Sequence, residues 1–215
     1  MDVESFVELL GRERASAILR CGDAGVARDA MDAAVAGGFR VVEVTLTTPG
    51  ALDLIASLSR RPGIVAGAGT VLTVAEAEAA VAHGARFLVS PVVDEAVVRR
   101  ATDLGVASIP GTHTPTEMLA AHRWGAPLVK LFPAPAGGPT WLRALLAPLP
   151  FLKVVPTNGV DLDNAAEWLA AGAWALGFVG SLFQPDDLAH RRFERIEDRA
   201  RQILARVRPE IPVPT

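Results

Sequence analysis

The segment Val41-Val42-Glu43-Val44-Thr45-Leu46-Thr47 decides how the rest of the chain is read. Side chains on a strand alternate between faces, so Val42, Val44 and Leu46 make one apolar side and Glu43, Thr45 and Thr47 the other. An apolar run this short reads as a strand of a parallel sheet, covered on both faces. The stretch before it has a different period. Asp23–Ala36 places Ala, Val and Met three and four residues apart, and Gly37-Gly38 follows as a helix C-cap prefers.

The same two signals repeat outward in both directions. Strands are expected at Ala15–Arg20, Val41–Thr47, Ile64–Thr70, Phe87–Pro91, Val106–Pro110, Leu128–Pro133, Leu152–Thr157 and Trp174–Ser181. Helical spacing marks Thr73–His83, Asp94–Leu104, Thr114–Trp124 and Asn164–Ala171, with Gly84, Gly105, Gly125 and Gly172 just beyond. Strand starts recur about every 20 to 25 residues, one compact βα unit each. Eight units and an extra helix near Val3–Glu13 predict a single-domain (β/α)8 TIM barrel over residues 1–215. Such barrels usually run to about 250 residues, which leaves no room for an inserted lid domain. The competing architecture, a doubly wound open sheet, wants a glycine-rich phosphate turn after strand one. Arg20-Cys21-Gly22-Asp23 is not that turn. The C-terminal Arg208–Thr215, with three prolines, reads as a tail or an edge-packing segment.

Composition removes several classes of function. Half the 215 residues are hydrophobic and 21% are charged, enough apolar mass for a sizeable core. The 21 basic and 24 acidic residues leave a formal charge of −3, with no basic excess to draw in nucleic acid or a membrane surface. Met1-Asp2-Val3-Glu4-Ser5 is acidic where a secretory leader is basic. The uncharged stretch Trp168–Pro185 is broken by Gly172, Gly177, Gly180 and Ser181, which fits helix end, turn and buried strand better than a membrane span. A lone cysteine, Cys21, forms no internal disulfide and points to a cytoplasmic protein. The histidines are His83, His113, His122 and His190, and they lack metal-ligand spacing, so no metal or other cofactor is expected.

Charges that interrupt apolar strands carry the chemical argument. A carboxylate at Glu43 inside a covered strand either pairs or has its pKa raised, so a structural ion pair and an acid–base role both remain open. Lys130, in Leu128-Val129-Lys130-Leu131-Phe132-Pro133, is flanked by apolar residues on both sides. An edge strand would let it reach solvent, but a closed barrel has no edge. A desolvated lysine loses basicity and becomes a candidate for Schiff-base chemistry on a carbonyl. Arg20 and Thr70 end strands one and three, at the rim where barrel enzymes place their chemistry. Arg20 alternatively pairs with Asp23. The glycines of Gly67-Ala68-Gly69-Thr70 let a ligand approach the backbone. Thr157-Asn158-Gly159 and Val179-Gly180-Ser181 follow strands seven and eight, where barrels commonly bind phosphate.

Six motifs in register resemble one family. They are Val42-Glu43-Val44-Thr45-Leu46, Gly67-Ala68-Gly69-Thr70-Val71-Leu72, Ser90-Pro91, Ile109-Pro110-Gly111, Val129-Lys130-Leu131-Phe132-Pro133 and Pro156-Thr157-Asn158-Gly159-Val160. From about Ala15 to Phe183 the sequence is similar to the 2-keto-3-deoxy-6-phosphogluconate (KDPG) and 4-hydroxy-2-oxoglutarate (KHG) aldolases. The resemblance implies Lys130 as Schiff-base lysine and Glu43 as general acid/base. It implies substrate contacts from Thr70, Pro91, Phe132 and Thr157, and phosphate contacts from Asn158, Gly159, Gly180 and Ser181. Many members carry arginine where Thr47 stands, while others pair threonine there with an arginine ending strand one. Arg20 with Thr70 therefore takes the substrate carboxylate, with Thr47 beside them. Asn158 and Val179 stand where the family usually has glycine.

The implied reaction is metal-independent class I cleavage of a 2-keto-4-hydroxy acid. KDPG would give pyruvate and glyceraldehyde 3-phosphate, and KHG would give pyruvate and glyoxylate. The neighbouring alternatives are a 2-keto-3-deoxy-6-phosphogalactonate aldolase, a phosphate-barrel isomerase without covalent chemistry, and a non-catalytic binding barrel. The only partner expected beyond this small 2-keto acid is a second and third copy of the chain, since the family is usually homotrimeric.

Overall fold

A computed structural model describes residues 1–208. The tail expected at Arg208–Thr215 lies, apart from Arg208, outside the described residues. Helix α1 (Val3–Glu13) opens the chain, its first turn capped by the Asp2 carboxylate, which accepts from the Ser5 N–H. Strand β1 (Ala15–Leu19), helix α2 (Ala24–Ala36) and strand β2 (Val41–Thr45) follow. Helix α3 (Ala51–Ser59), which the sequence reading did not delimit, links β2 to β3 (Val65–Gly69). Then come α4 (Val74–Ala82), β4 (Phe87–Val89), α5 (Glu95–Asp103) and β5 (Ala107–Ile109). Pro110 separates β5 from the two-residue β6 (Gly111–Thr112), which leads into α6 (Pro115–Arg123) and β7 (Val129–Leu131). The last third runs through α7 (Gly138–Leu146), β8 (Val154–Pro156), α8 (Ala165–Ala170), β9 (Leu176–Phe178), α9 (Pro185–Ala189) and α10 (Phe193–Val207).

Local chemistry explains the helix starts. Thr73 and Thr114 each form a capping box with the glutamate three residues on, Glu76 and Glu117. Asp23 and Asp94 cap α2 and α5 by accepting from Val26 and Val97 N–H groups. Asp23 is thus engaged at a helix end, and Arg20 donates to Thr70 Oγ1 at 3.3 Å rather than reaching back to Asp23. His190 lies in the turn between α9, which ends at Ala189, and α10, which begins at Phe193.

All strand pairs are parallel, in a six-stranded sheet ordered β5-β4-β3-β2-β1-β9 and a three-stranded sheet ordered β6-β7-β8. Pro110 joins them on one side. It has no N–H to give, and its carbonyl accepts from the Lys130 N–H at 2.9 Å. On the other side Thr157 bridges Gly177, and the Trp174 N–H donates to the Val154 carbonyl at 2.8 Å. The result is an α/β fold whose parallel sheet curls into a half-barrel with helices outside.

Alternation divides the core in two. Ala17, Leu19, Val42, Val44, Val129 and Leu131 face the helices in the larger apolar cluster. Val41, Val65, Phe87, Val89, Ile109 and Val155 face inward, where they meet Phe6, Val7 and Leu10 of α1. The Phe6 and Phe87 rings stack with centroids 4.8 Å apart. The Trp174 indole N–H donates to the Val7 carbonyl at 3.0 Å, tying α1 to the entry of β9. This apolar plug fills the interior below the strand middles. The chemistry lies at the other end.

Candidate active site

Lys130 is the middle residue of β7 and Glu43 the middle residue of β2, both turned inward by strand parity. Lys130 is 8% exposed and Glu43 only 2%. Around them, just past the C-terminal strand ends, stand Arg20 after β1, Thr70 after β3, Pro91 after β4, Phe132 after β7, and Thr157 and Asn158 after β8. Together with Ile18, Thr45 and Val179 these residues line one cavity of about 180 Å³. Wider surface hollows of about 810 and 590 Å³ exist, between α1, α8 and α10 and beside the β2–α3 turn. Neither contains an inward-facing lysine and carboxylate, so chemistry and not volume identifies the site.

The electrostatics follow from burial. Desolvation pushes the Lys130 amine below its ordinary pKa, the Glu43 carboxylate opposes that fall, and Arg20 adds to it. For Glu43, desolvation raises the pKa, while Lys130 and Arg20 pull it back down. Burial therefore outweighs the mutual attraction for both groups. The Lys130 Nζ also lies 4.8 Å from the centroid of the Phe132 ring, which shields it from water and meets it with a π-face. When all three groups ionise, two cations face one carboxylate. That surplus suits an anionic substrate.

Two rim residues hold left-handed backbone, Thr70 at φ 60° and Asn158 at φ 61°. Asparagine tolerates this region through its short polar side chain, which explains its place in a turn where a glycine would otherwise serve. A β-branched threonine there is strained, and its hydroxyl accepts from Arg20.

The structure gathers eight of the sequence-derived residues, Lys130, Glu43, Arg20, Thr70, Pro91, Phe132, Thr157 and Asn158, around the cavity, and leaves four off its lining. Thr47 is exposed, in the hollow beside the β2–α3 turn. β2 ends at Thr45, whose carbonyl accepts from the Thr48 N–H at 2.9 Å, and the Thr47 hydroxyl lies 3.0 Å from that of Thr45, which lines the cavity. Gly159 accepts from the Asn164 side-chain amide behind the rim. Ser181 donates to the Val160 carbonyl at 2.8 Å, and Gly180 sits in open space beside it. Ile18 was not singled out from sequence, although its position two residues before Arg20 carried the signal.

A family model described as KDPG and KHG aldolase matches residues 8–198. The chain belongs to the KDPG and KHG aldolase family. It is 38% identical over 172 residues to a probable 2-dehydro-3-deoxy-6-phosphogalactonate aldolase of Rhizobium meliloti, covering 79% of this chain and 81% of that one. It is 37% identical over 183 residues to the 2-dehydro-3-deoxy-phosphogluconate aldolase of Pseudomonas aeruginosa, covering 79% and 83%. In three dimensions it is similar to the crystal structure of the Legionella pneumophila KDPG aldolase with pyruvate captured at low pH as a covalent carbinolamine. That match has a TM-score of 0.83 at 26% identity, over 92% of this chain and 97% of that one. A carbon–carbon lyase of the class I, Schiff-base type is the activity of this aldolase family, and it is the activity of this member.

Proposed function

We propose that Lys130 is the nucleophile and Glu43 the general acid/base of a retro-aldol cleavage of 2-keto-4-hydroxy acids. The observation that carries the reading is the pairing of a buried lysine of lowered basicity with a buried carboxylate in one cavity. The Lys130 amine attacks the C2 ketone, and loss of water leaves a protonated imine. Glu43 removes the C4 hydroxyl proton, directly or through one water. The C3–C4 bond then breaks, its electrons move into the imine to give an enamine, and the aldehyde departs. Glu43 returns a proton to C3. Hydrolysis releases pyruvate and regenerates the amine.

Arg20 and Thr70 take the substrate carboxylate in this reading, supported by their mutual hydrogen bond at the cavity wall. Pro91, Phe132 and Thr157 shape the pocket, and Asn158, Gly159, Gly180 and Ser181 form the phosphate end on the rim beyond it. Thr47 stands beside them, supported by its 3.0 Å hydroxyl contact with Thr45 on the cavity wall. The preferred substrate is KDPG, with KHG as a second. The 6-phosphogalactonate analogue is the competing choice, favoured by the name of the 38% identical relative. The curled sheet is read as a closed (β/α)8 barrel with α1 as an additional helix, supported by the contacts at both seams. One domain over residues 1–215, a homotrimer and a cytoplasmic location complete the proposal. Among the described residues no helix is long and apolar enough to cross a membrane.

A panel of phosphorylated and plain 2-keto-4-hydroxy acids, assayed with EDTA present, tests this directly. KDPG cleaved fastest, undiminished by EDTA, is expected. Borohydride reduction with pyruvate that leaves Lys130 unmodified would overturn the mechanism.

A further inference from the structure

Three inward-facing strand positions around the site carry no side chain, and in each case another part of the protein occupies the vacant place. A Cβ at Gly67 would overlap the Phe87 ring, and one at Gly177 would meet Thr157 Oγ1 and, at 2.8 Å, Ile18 Cδ1. A Cβ at Gly69 would run into Glu43 Oε1, with Glu43 Cδ at 2.8 Å and Cγ at 2.9 Å. The register makes the last case informative. Glu43 lies opposite Gly67 on β3, yet its carboxylate overlies Gly69, which is paired with Thr45 two residues nearer the rim. The side chain therefore leans along the sheet toward the C-terminal strand ends, into the space Gly69 leaves.

Little else sets that direction. The influences on the Glu43 carboxylate are burial and the charges of Lys130 and Arg20, with no hydrogen bond among them. Beneath it the interior narrows to about 10 Å³, walled by Leu10, Phe87, Val89, Ile109 and Val155, so the carboxylate has no room to turn downward. Shape and the two neighbouring charges hold it, and of these only shape confines it to the space over Gly69.

We propose that Gly69 is a positioning residue, whose missing side chain fixes the rotamer in which Glu43 meets the substrate held on Lys130. This rests on the aldolase reading above and adds a residue to it. Gly69 has no positive φ, so alanine fits its backbone. The atoms that must yield belong to the Glu43 side chain, so the substitution costs position more than stability.

Gly69→Ala is the test, read by kcat, by solvent exchange of the pyruvate methyl protons and by borohydride trapping of pyruvate on Lys130. Misplacement of about 1 Å lowers a rate by about 100-fold. The expected result is a fall of about that size in kcat and in exchange together, with trapping retained and thermal stability near wild type. A folded variant with wild-type exchange overturns the proposal, as does one in which trapping is lost too. If Gly69→Ala does not fold, Gly69→Ala with Glu43→Ala removes the clash. Recovery of the fold then supports the contact, and failure of both variants overturns it. Wild-type protein that neither traps pyruvate nor exchanges its protons would refute the aldolase reading instead, separately from this one.

Discussion

At the N-terminal ends of the strands the inward positions hold Val41, Val65, Phe87 and Ala107, and α1 lays Phe6, Val7 and Leu10 across them. At the C-terminal ends the same interior presents Glu43, Lys130, Thr45 and Thr157, with the carboxylate resting in the gap left by Gly69. Both ends are equally buried and follow the same alternation. They differ in what burial does. Apolar side chains gain from leaving water, so the plugged end supplies stability. Charged groups lose their hydration, so the open end stores reactivity as displaced pKa values.

Substitutions at the two ends should separate these roles. Lys130→Ala should abolish cleavage and imine trapping altogether while the protein remains folded by circular dichroism. Residual trapping of pyruvate on the variant would break the assignment. Glu43→Gln should lower kcat by about 10²- to 10⁴-fold, the usual share of a general acid/base, with trapping on Lys130 preserved. On the plugged end, Phe6→Ala should cost about 3–5 kcal/mol in stability, as for a buried aromatic cut to alanine. Denaturant titration measures that loss, and kcat per folded molecule should not change. The smallest effects should be on pH dependence. The Glu43 charge raises the Lys130 pKa and the Arg20 charge lowers it. Glu43→Gln should therefore carry trapping to lower pH, and Arg20→Gln should move the acid limit upward. A pH series of borohydride trapping reads both, and shifts of the same sign would undo the electrostatic account.

Much of this contrast was legible in the sequence because parity is a local property. Two-residue alternation in Val41–Thr47 put Glu43 on the inner face, and Lys130 interrupts an apolar run in the same way. Parity also placed Thr47 with Glu43 and Thr45, and its hydroxyl meets that of Thr45 at 3.0 Å; that it is exposed was not legible, because it follows from the turn that ends β2. Cross-strand facts were out of reach. Gly67 and Gly69 suggested room for a ligand, whereas the nearest occupants are the side chains of Phe87 and Glu43, contributed by neighbouring strands. The direction of the Lys130 shift was likewise a balance between burial and a carboxylate on another strand. The partner of the Ser181 hydroxyl was out of reach too, since it donates to the Val160 carbonyl of another loop.

The bond from the Trp174 indole to the Val7 carbonyl spans 167 residues. It sits beside the pairing of the first strand with the ninth. During synthesis α1 is made before its neighbour at the entry to β9, which follows Val7 by 167 residues. Contacts so distant along a chain slow the search for the native state. The stripe of Phe6, Val7 and Leu10 meets Val41, Val65 and Phe87 well before β9 exists, so the indole bond is a late tie on a helix face already covered.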